Sequence, residues 1–337
     1  MRIPTPAAVP GPDRPHLVMV SWMRHHGRSA ELAQALGAEA VYMPWAWPAQ
    51  PLARTIRGWL RSGVRTWRLV RSLPRGSAVV AMAPPVFCPL VALWAARGRN
   101  VKVAIDLHSG GLNDPSWRWS FRLMRWAIRQ AATVIVTNPD LLEGQNTGIT
   151  PVQVIQDPFW VGDKHEVSSV PPPAHPYAVF PASGASDEPS NAVVEAAALL
   201  DGQVELVMTG DQPARPNAPG LRLTGFIPAT EFRSLLAHAA VVLALTTREA
   251  TMQRAAYEGL QFRRPLVCSG TRVLRRVLMD AAVFVDNTGP SIVAGVLEAL
   301  ARADELRAAG EAREVVIRAE AEQGLAAVRA LVATSGA

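Results

Sequence analysis

Between Ala240 and Gly270 the chain carries four polar groups that could share one ligand: Glu249, Thr251, Arg254 and Glu258. They follow the apolar run Ala240–Leu245 and precede a second run, Leu266–Cys268, entered through Arg263, Arg264 and Pro265. Strand, polar turn, acidic helix and strand make one βαβ unit. Its polar groups lie at the carboxyl end of the first strand, where open α/β sheets bind ligands. A carboxylate at Glu258 can accept both hydroxyls of a ribose, or sit on a solvated helix face. Arg254, one helical turn earlier on the same face, can grip a pyrophosphate in bidentate fashion or simply pair with Glu258. Near the helix start, Thr251 could join the free N–H groups of a phosphate site or serve only as an N-cap. Glu249 could hold sugar hydroxyls, or complement the helix dipole as a helix-start acid.

Other positions fit the same kind of ligand. Gly210 ends one apolar run, and Gly225 with Phe226 ends the short run Leu221–Thr224. Glycine at a strand end lets backbone approach a ligand closely. Ser269 and Thr271 flank Gly270 after the run 266–268; they could touch a diphosphate or form a plain turn. In the first half, Asp106 and His108 end the apolar run Val101–Ile105 ahead of Gly110 and Gly111. An imidazole there can act near neutral pH, or be a satisfied structural histidine. No Asp-x-Asp motif occurs, and the adjacent His25 and His26 cannot share one face, so no metal site is expected.

The elements that must position these groups alternate in two series. The first holds strands at His16–Val20, Ala40–Met43, Ala78–Met82, Val101–Ile105 and Thr133–Val136, with helices at Ser29–Leu36 and Trp117–Gln130. The second holds strands at Tyr177–Phe180, Val204–Met208, Val241–Leu245, Leu266–Cys268 and Val283–Val285. Such alternation implies parallel, doubly wound sheets, and a chain of 337 residues exceeds the usual single core of ~250. The reading is α/β with two Rossmann-like domains, 16–160 and 177–315. A linker near Asp157–Pro173 (161–176 in the domain division) joins them, and a C-terminal helix at 316–337 has the option of packing back on the first domain. Residues 1–15 are Pro-rich, lack an apolar signal-peptide core, and read as a disordered leader. Ser77–Ala96 is uncharged, but Pro84, Pro85 and Pro89 argue against a membrane span. Cys88 and Cys268 lie in apolar runs and read as buried, reduced thiols of a cytoplasmic chain.

Charge is lopsided. Residues 1–160 hold 18 Lys and Arg against 8 Asp and Glu, the remainder 16 against 20, and nine of the ten Trp precede residue 160. Arg54, Arg57, Arg61, Arg65, Arg68 and Arg71 recur at helical spacing among Ile56, Trp59, Leu60, Val64 and Trp67, with Gly58 and Gly63 as interruptions. Arg118, Arg122, Arg125 and Arg129 repeat the pattern, and no acid occurs between Glu39 and Asp106. A basic helix flanked by Trp suits an anionic membrane surface; an Arg face on an ordinary packed helix is the alternative.

From about Leu17 to Leu300 the chain resembles the GT-B nucleotide-sugar glycosyltransferases of the family 4-like group. The likeness centres on Glu258, seven residues before Pro265, matching the second Glu of that group's Glu-x7-Glu pattern. Its first Glu would fall at Ala250, beside Glu249, and its early Arg/Lys pair has no counterpart in Phe180–Glu188. The resemblance implies two domains facing each other across a cleft, with a nucleotide diphosphate sugar as donor and no cofactor. It implies a ribose contact at Glu258 and base or phosphate contacts near Gly210, Gly225 and Phe226. It makes His108 a contact to the transferred sugar, and Asp106 an acceptor base or an orienting group. The loop Ser21–Ser29 falls where the group has a flexible loop near phosphates and acceptor, so Arg24, His25 and Arg28 could meet an anionic acceptor. Without an acidic metal motif, arginines, helix dipoles and N–H groups would neutralise the leaving nucleotide.

The leading reading is a metal-independent glycosyltransferase at the inner face of the membrane, acting on a lipid-linked or polysaccharide acceptor. A GT-B epimerase or a non-catalytic nucleotide-sugar module is the alternative. A nucleic-acid partner is disfavoured, because the basic residues sit among Trp and Leu without a binding motif. A dinucleotide oxidoreductase is disfavoured because no Gly-x-Gly-x-x-Gly follows a strand.

Overall fold

Strands buried on both faces read as unbroken apolar runs rather than alternating ones; the described residues form twelve strands, nine of them buried in this way and three, at Glu39–Tyr42, Val152–Val154 and Leu221–Gly225, partly exposed. The computed structural model describes residues 15–23, 27–43, 52–113, 115–156, 175–211 and 217–332. These fall into two compact units: 15–156 joined by 319–332, and 175–318. The leader and the linker lie outside the described residues.

In the first unit the chain runs β1 (Leu17–Ser21), α1 (Gly27–Leu36), β2 (Glu39–Tyr42), α2 (Leu52–Ser72), β3 (Ala78–Ala83) and α3 (Phe87–Ala96). It continues with β4 (Lys102–Leu107), α4 (Gly110–Asn113), α5 (Phe121–Gln130), β5 (Thr133–Val136) and β6 (Val152–Val154). The sheet order is β2-β1-β3-β4-β5-β6, all parallel. Because strand side chains alternate faces, Val18, Val20, Val79 and Ala81 join Trp22, Val70, Cys88 and Ala92 in one core. Leu17, Met19, Ala78 and Val80 join Leu32, Leu36, Leu325 and Val328 in another.

Several boundaries differ from the sequence reading. Helix α2 runs unbroken through Gly58 and Gly63. Residues Pro115–Ser120 form a 3-10 segment ahead of α5. α3 begins at Phe87, two residues before Pro89. The edge strand β6 was missed because three residues carry no usable period.

The second unit runs β7 (Tyr177–Phe180), α6 (Ser190–Leu199), β8 (Glu205–Thr209), β9 (Leu221–Gly225), α7 (Ala229–His238) and β10 (Val241–Ala244). After these come α8 (Arg254–Gln261), β11 (Leu266–Ser269), α9 (Arg272–Leu278), β12 (Ala282–Val285), α10 (Gly289–Ala301) and α11 (Ala303–Arg329). Its order, β12-β11-β10-β7-β8-β9, is the doubly wound 3-2-1-4-5-6 arrangement read from the far edge. Direction reverses between β7 and β10, so the crevice at their carboxyl ends is the topological site for a ligand. Helix α10 lies close on the sheet at Gly295, where an added Cβ would fall 2.3 Å from Val285. Helix α11 begins at Ala303 rather than 316, and its last turns return to the first unit through Leu325 and Val328.

Both cysteines are free and fully buried, and burial pushes both thiols up. Among the described residues, no helix is long and apolar enough to cross a membrane.

Candidate functional site

Two loops meet at the reversal between β7 and β10. Asp187, 7% exposed, ties them together. Its carboxylate accepts from Thr246 Oγ1 at 2.8 Å, its carbonyl accepts from the Thr247 N–H at 2.8 Å, and Arg248 stands 3.6 Å away. Beside it, the Glu188 carboxylate accepts from the N–H groups of Ser183, Gly184 and Ala185 and from the Ser183 hydroxyl. Successive N–H groups converging on one point form an anion nest, and here the chain fills it with its own carboxylate. Neither acid was singled out from sequence. The available signal was a short Ser/Gly/Ala loop closing on two consecutive acids.

The Glu249–Glu258 group is distributed as follows. Glu258 lies on α8, 7% exposed, and accepts from Arg254 Nε at 2.9 Å. The pairing alternative for Arg254 is therefore realised, with about a third of its side chain still exposed. Thr251 precedes α8 by three residues; the N-cap position belongs to Gln253, so Thr251 is not the cap. Glu249 is exposed, and its carboxylate accepts the N–H of Arg272 at the first turn of α9. It complements the dipole of that helix rather than of α8.

Two expected diphosphate contacts are corrected. Ser269 is 1% exposed and engaged internally: it accepts from the Thr246 N–H and donates to Asn287 Oδ1 at 2.6 Å. Asn287 closes the ring by donating to the Thr246 carbonyl. Thr271 is the N-cap of α9, accepting from the Leu274 N–H. Ser269 is thus engaged in holding the β10 and β11 ends together, and Thr271 in capping α9.

Gly210 and Gly225 close the ends of β8 and β9 against each other through a 2.9 Å hydrogen bond. Gly210 has φ +75°, and an added Cβ would lie 2.0 Å from the Ala182 carbonyl oxygen. Gly210→Ala is expected to cost about 2–3 kcal/mol, from the left-handed backbone and the collision with backbone. Urea unfolding checks this, and a loss below 1 kcal/mol would contradict it. Phe226, directly after this bridge, is 79% exposed, a ring face presented at the strand ends.

In the first unit Asp106 is fully buried between Arg28 and His108. Arg28 Nη2 donates to Oδ1 at 3.1 Å, and His108 Nε2 stands 2.9 Å from Oδ2. Burial alone would raise this carboxyl; the Arg28 charge, the His108 partner and their hydrogen bonds outweigh it and hold the group well below the usual carboxylate range. A carboxylate only accepts, so the His108 Nε2 in this contact carries a proton. His108 is about one-fifth exposed. Asp106 therefore holds Arg28 and His108 in place, and its burial speaks against its reading as an acceptor base.

Arg28 is corrected as well. It is 5% exposed and also donates to the Ile155 carbonyl at 3.0 Å, so it joins α1, β4 and the chain after β6 instead of facing an acceptor. Arg24 and His25 lie outside the described residues. Among the described residues, no group of three or more His, Cys, Asp or Glu is placed to hold a metal.

The basic helix divides its apolar residues between two faces, one packed with Val70 on the core and one exposed. α2 turns Ser62, Thr66 and Val70 inward, and Trp22 Nε1 donates to Thr66 Oγ1 at 2.8 Å. Ile56, Leu60, Val64 and Trp67 point outward, with Leu60 66% exposed. Arg57, Arg61, Arg65 and Arg68 are exposed beside them, and no acid lies between Glu39 and Asp106. Trp94 on α3, Trp119, and Leu123 and Trp126 on α5 extend this outward apolar surface.

No protein-family model and no curated protein matches the chain by sequence. Solved structures do match. Anabaena HepE in complex with UDP-glucose aligns at 12% identity and TM-score 0.69, covering 94% of this chain and 99% of that one. Sucrose-phosphate synthase from Thermosynechococcus elongatus aligns at 12% identity and TM-score 0.71, over 94% and 98%. A glycosyltransferase from Rickettsia africae aligns at 12% identity and TM-score 0.69, over 96% and 100%. Identities of this size speak for architecture alone. With two six-stranded parallel sheets and this likeness over nearly its whole length, the chain has the GT-B fold, built of two Rossmann-like domains.

Proposed function

We propose that this protein is a glycosyltransferase that moves a sugar from a nucleotide diphosphate donor to a lipid-linked or glycan acceptor at an anionic membrane surface. The observation that carries the donor half is the full-length likeness to a protein solved with UDP-glucose. It is joined by an acid–arginine pair, Glu258 and Arg254, on the βαβ unit next to the reversal of the second sheet. In this reading Glu258 accepts the ribose hydroxyls, Arg254 and Thr251 meet the diphosphate, and Phe226 offers its ring to the base. Gly210 and Gly225 keep the nearby backbone close. His108, oriented by Asp106, contacts the transferred sugar, and Glu249 lies near the sugar end of the donor. The acceptor hydroxyl oxygen bonds to the anomeric carbon while that carbon's bond to the diphosphate breaks, and the hydroxyl proton passes to the departing diphosphate or to solvent. The charge left on the diphosphate is what Arg254 and nearby N–H dipoles stabilise.

Glu258→Ala is expected to weaken nucleotide diphosphate binding by about 1.5–3 kcal/mol, the usual scale for a hydrogen bond to a charged group. Isothermal titration would show it as a rise in Kd of roughly 10- to 150-fold. An unchanged Kd would remove Glu258 from the donor site. The reading is metal-independent, so turnover is expected to continue in excess EDTA. Complete loss restored by Mg²⁺ or Mn²⁺ would show a missed metal site.

A second reading, a nucleotide-sugar-binding protein without transfer, is favoured by one set of observations. Ala250 stands where the resembled pattern has its first Glu, and Glu249 is engaged at α9. That reading predicts tight donor binding with no sugar released or transferred.

A further inference from the structure

Helices α2 and α3 enclose a groove of about 730 Å³ within the first unit. Trp22 and Gly63 line it together with Leu60 and Trp67 of α2 and Val91 and Trp94 of α3. An apolar concavity of this volume falls in the usual range of small-ligand sites. The depth depends on Gly63: an added Cβ would touch Trp22 and Val91, both at 3.8 Å. Any larger side chain there would fill the space.

The lining says what fits. Among the described residues Arg68 is the one charged residue in the lining, so an occupant must be hydrocarbon along its length. The surrounding charge says how that occupant ends. Arg57, Arg61 and Arg65 stand on the same helix as Arg68, and neither α2 nor α3 contains an acid. An extended protein segment would need partners for its backbone N–H and C=O groups, which an apolar groove does not supply, and a helix, which pairs its own, would need an acidic stripe to meet the arginines. A hydrocarbon chain ending in a phosphate meets both demands in one small molecule.

We propose that the groove between α2 and α3 binds the hydrocarbon chain of a single anionic lipid, with the lipid's phosphate on the arginines of α2. This deepens the membrane-surface reading above and rests on it: the lipid drawn into the groove is the lipid-linked acceptor, and α2 is both the contact with the bilayer and the wall of the acceptor site.

The test uses the full chain and alkyl phosphates of eight, ten and twelve carbons below their micelle-forming concentrations, followed by tryptophan fluorescence. Inorganic phosphate is the head-only control, and vesicles rich in anionic lipid are the surface control. Binding should be one to one and tighten about tenfold for each two carbons added, from burial of two methylenes. Inorganic phosphate should bind at least a hundredfold more weakly than dodecyl phosphate. Gly63→Leu should weaken dodecyl phosphate at least tenfold while vesicle co-sedimentation stays at the wild-type level. Trp94→Ser, at a position 62% exposed and so independent of the core, should weaken dodecyl phosphate as well. Affinity independent of chain length, phosphate binding as well as dodecyl phosphate, or no loss in both variants would overturn the proposal. So would a dimer that closes the groove and is not dissociated by dodecyl phosphate. If the wild type binds vesicles but no alkyl phosphate, the groove assignment falls and the surface reading stands. If it binds dodecyl phosphate but ignores vesicles, the surface reading falls and the groove stands.

Discussion

Asp106→Asn is expected to cost about 3–5 kcal/mol of folding stability, the scale for removing one partner of a buried ion pair. The carboxylate has no solvent to replace its partners, and Arg28, itself 5% exposed, would be left buried opposite a neutral amide. Urea denaturation of both proteins at pH 7 measures the difference, and a loss below 1 kcal/mol would show that the pair is not the centre of the first unit. The double variant Asp106→Asn with Arg28→Met should recover part of the loss, because no unpaired charge remains. The pH dependence has a definite sign. Asp106 is held below the usual carboxylate range, so its contribution is fully present above the unfolded value of about 4. It is lost as the pH falls further, through the depressed value of the folded protein. Wild type should therefore lose stability on acidification in a way that Asp106→Asn does not.

Replacing Arg57, Arg61, Arg65 and Arg68 together by Gln should lower affinity for vesicles rich in anionic lipid by about a thousandfold. Each arginine near such a surface contributes roughly 1 kcal/mol, and 1.4 kcal/mol is a factor of ten. All four are exposed, so the thermal midpoint should hardly move. The outward Leu60 and Trp67 would still reach the interface and Arg54 and Arg71 remain, so residual binding should persist with a weaker salt dependence. Wild-type binding should weaken as salt rises, since attraction beyond a Debye length of about 8 Å at physiological salt is screened. Co-sedimentation with anionic and neutral vesicles at two salt concentrations checks both statements. A wild-type protein that ignores anionic vesicles at low salt would contradict the membrane reading.

What could be read from the chain follows from the range of each signal. Strands such as Val79–Met82 and Val241–Leu245 are buried on both faces, so they stand out as apolar runs, and their alternation with helices carries the doubly wound class. Glu258 and Arg254 were legible as a pair because four residues of helix bring them together. The ion pair of Arg28 with Asp106 spans 78 residues, and no local pattern announces it, so Arg28 read as a loop cation. Ser269 is consumed by Thr246 and Asn287, 23 and 18 residues away, and looked available for the same reason. On α2 the period of arginines and apolar residues was plain, yet periodicity does not say which stripe is the core. Trp22, reaching Thr66 from the end of β1, fixes the small polar stripe inward and leaves Leu60 and Trp67 outside.

The central claim is that the second unit holds a nucleotide diphosphate sugar, and a thermal-shift screen with UDP, GDP and dTDP sugars tests it most directly. A ligand that binds only the folded state at a hundred times its Kd adds about 2.7 kcal/mol. One donor class should therefore raise the midpoint by several degrees, more so with concentration, and the same donor should fail to stabilise Glu258→Ala to that extent. No shift with any of the three, at concentrations up to several millimolar, would contradict the account.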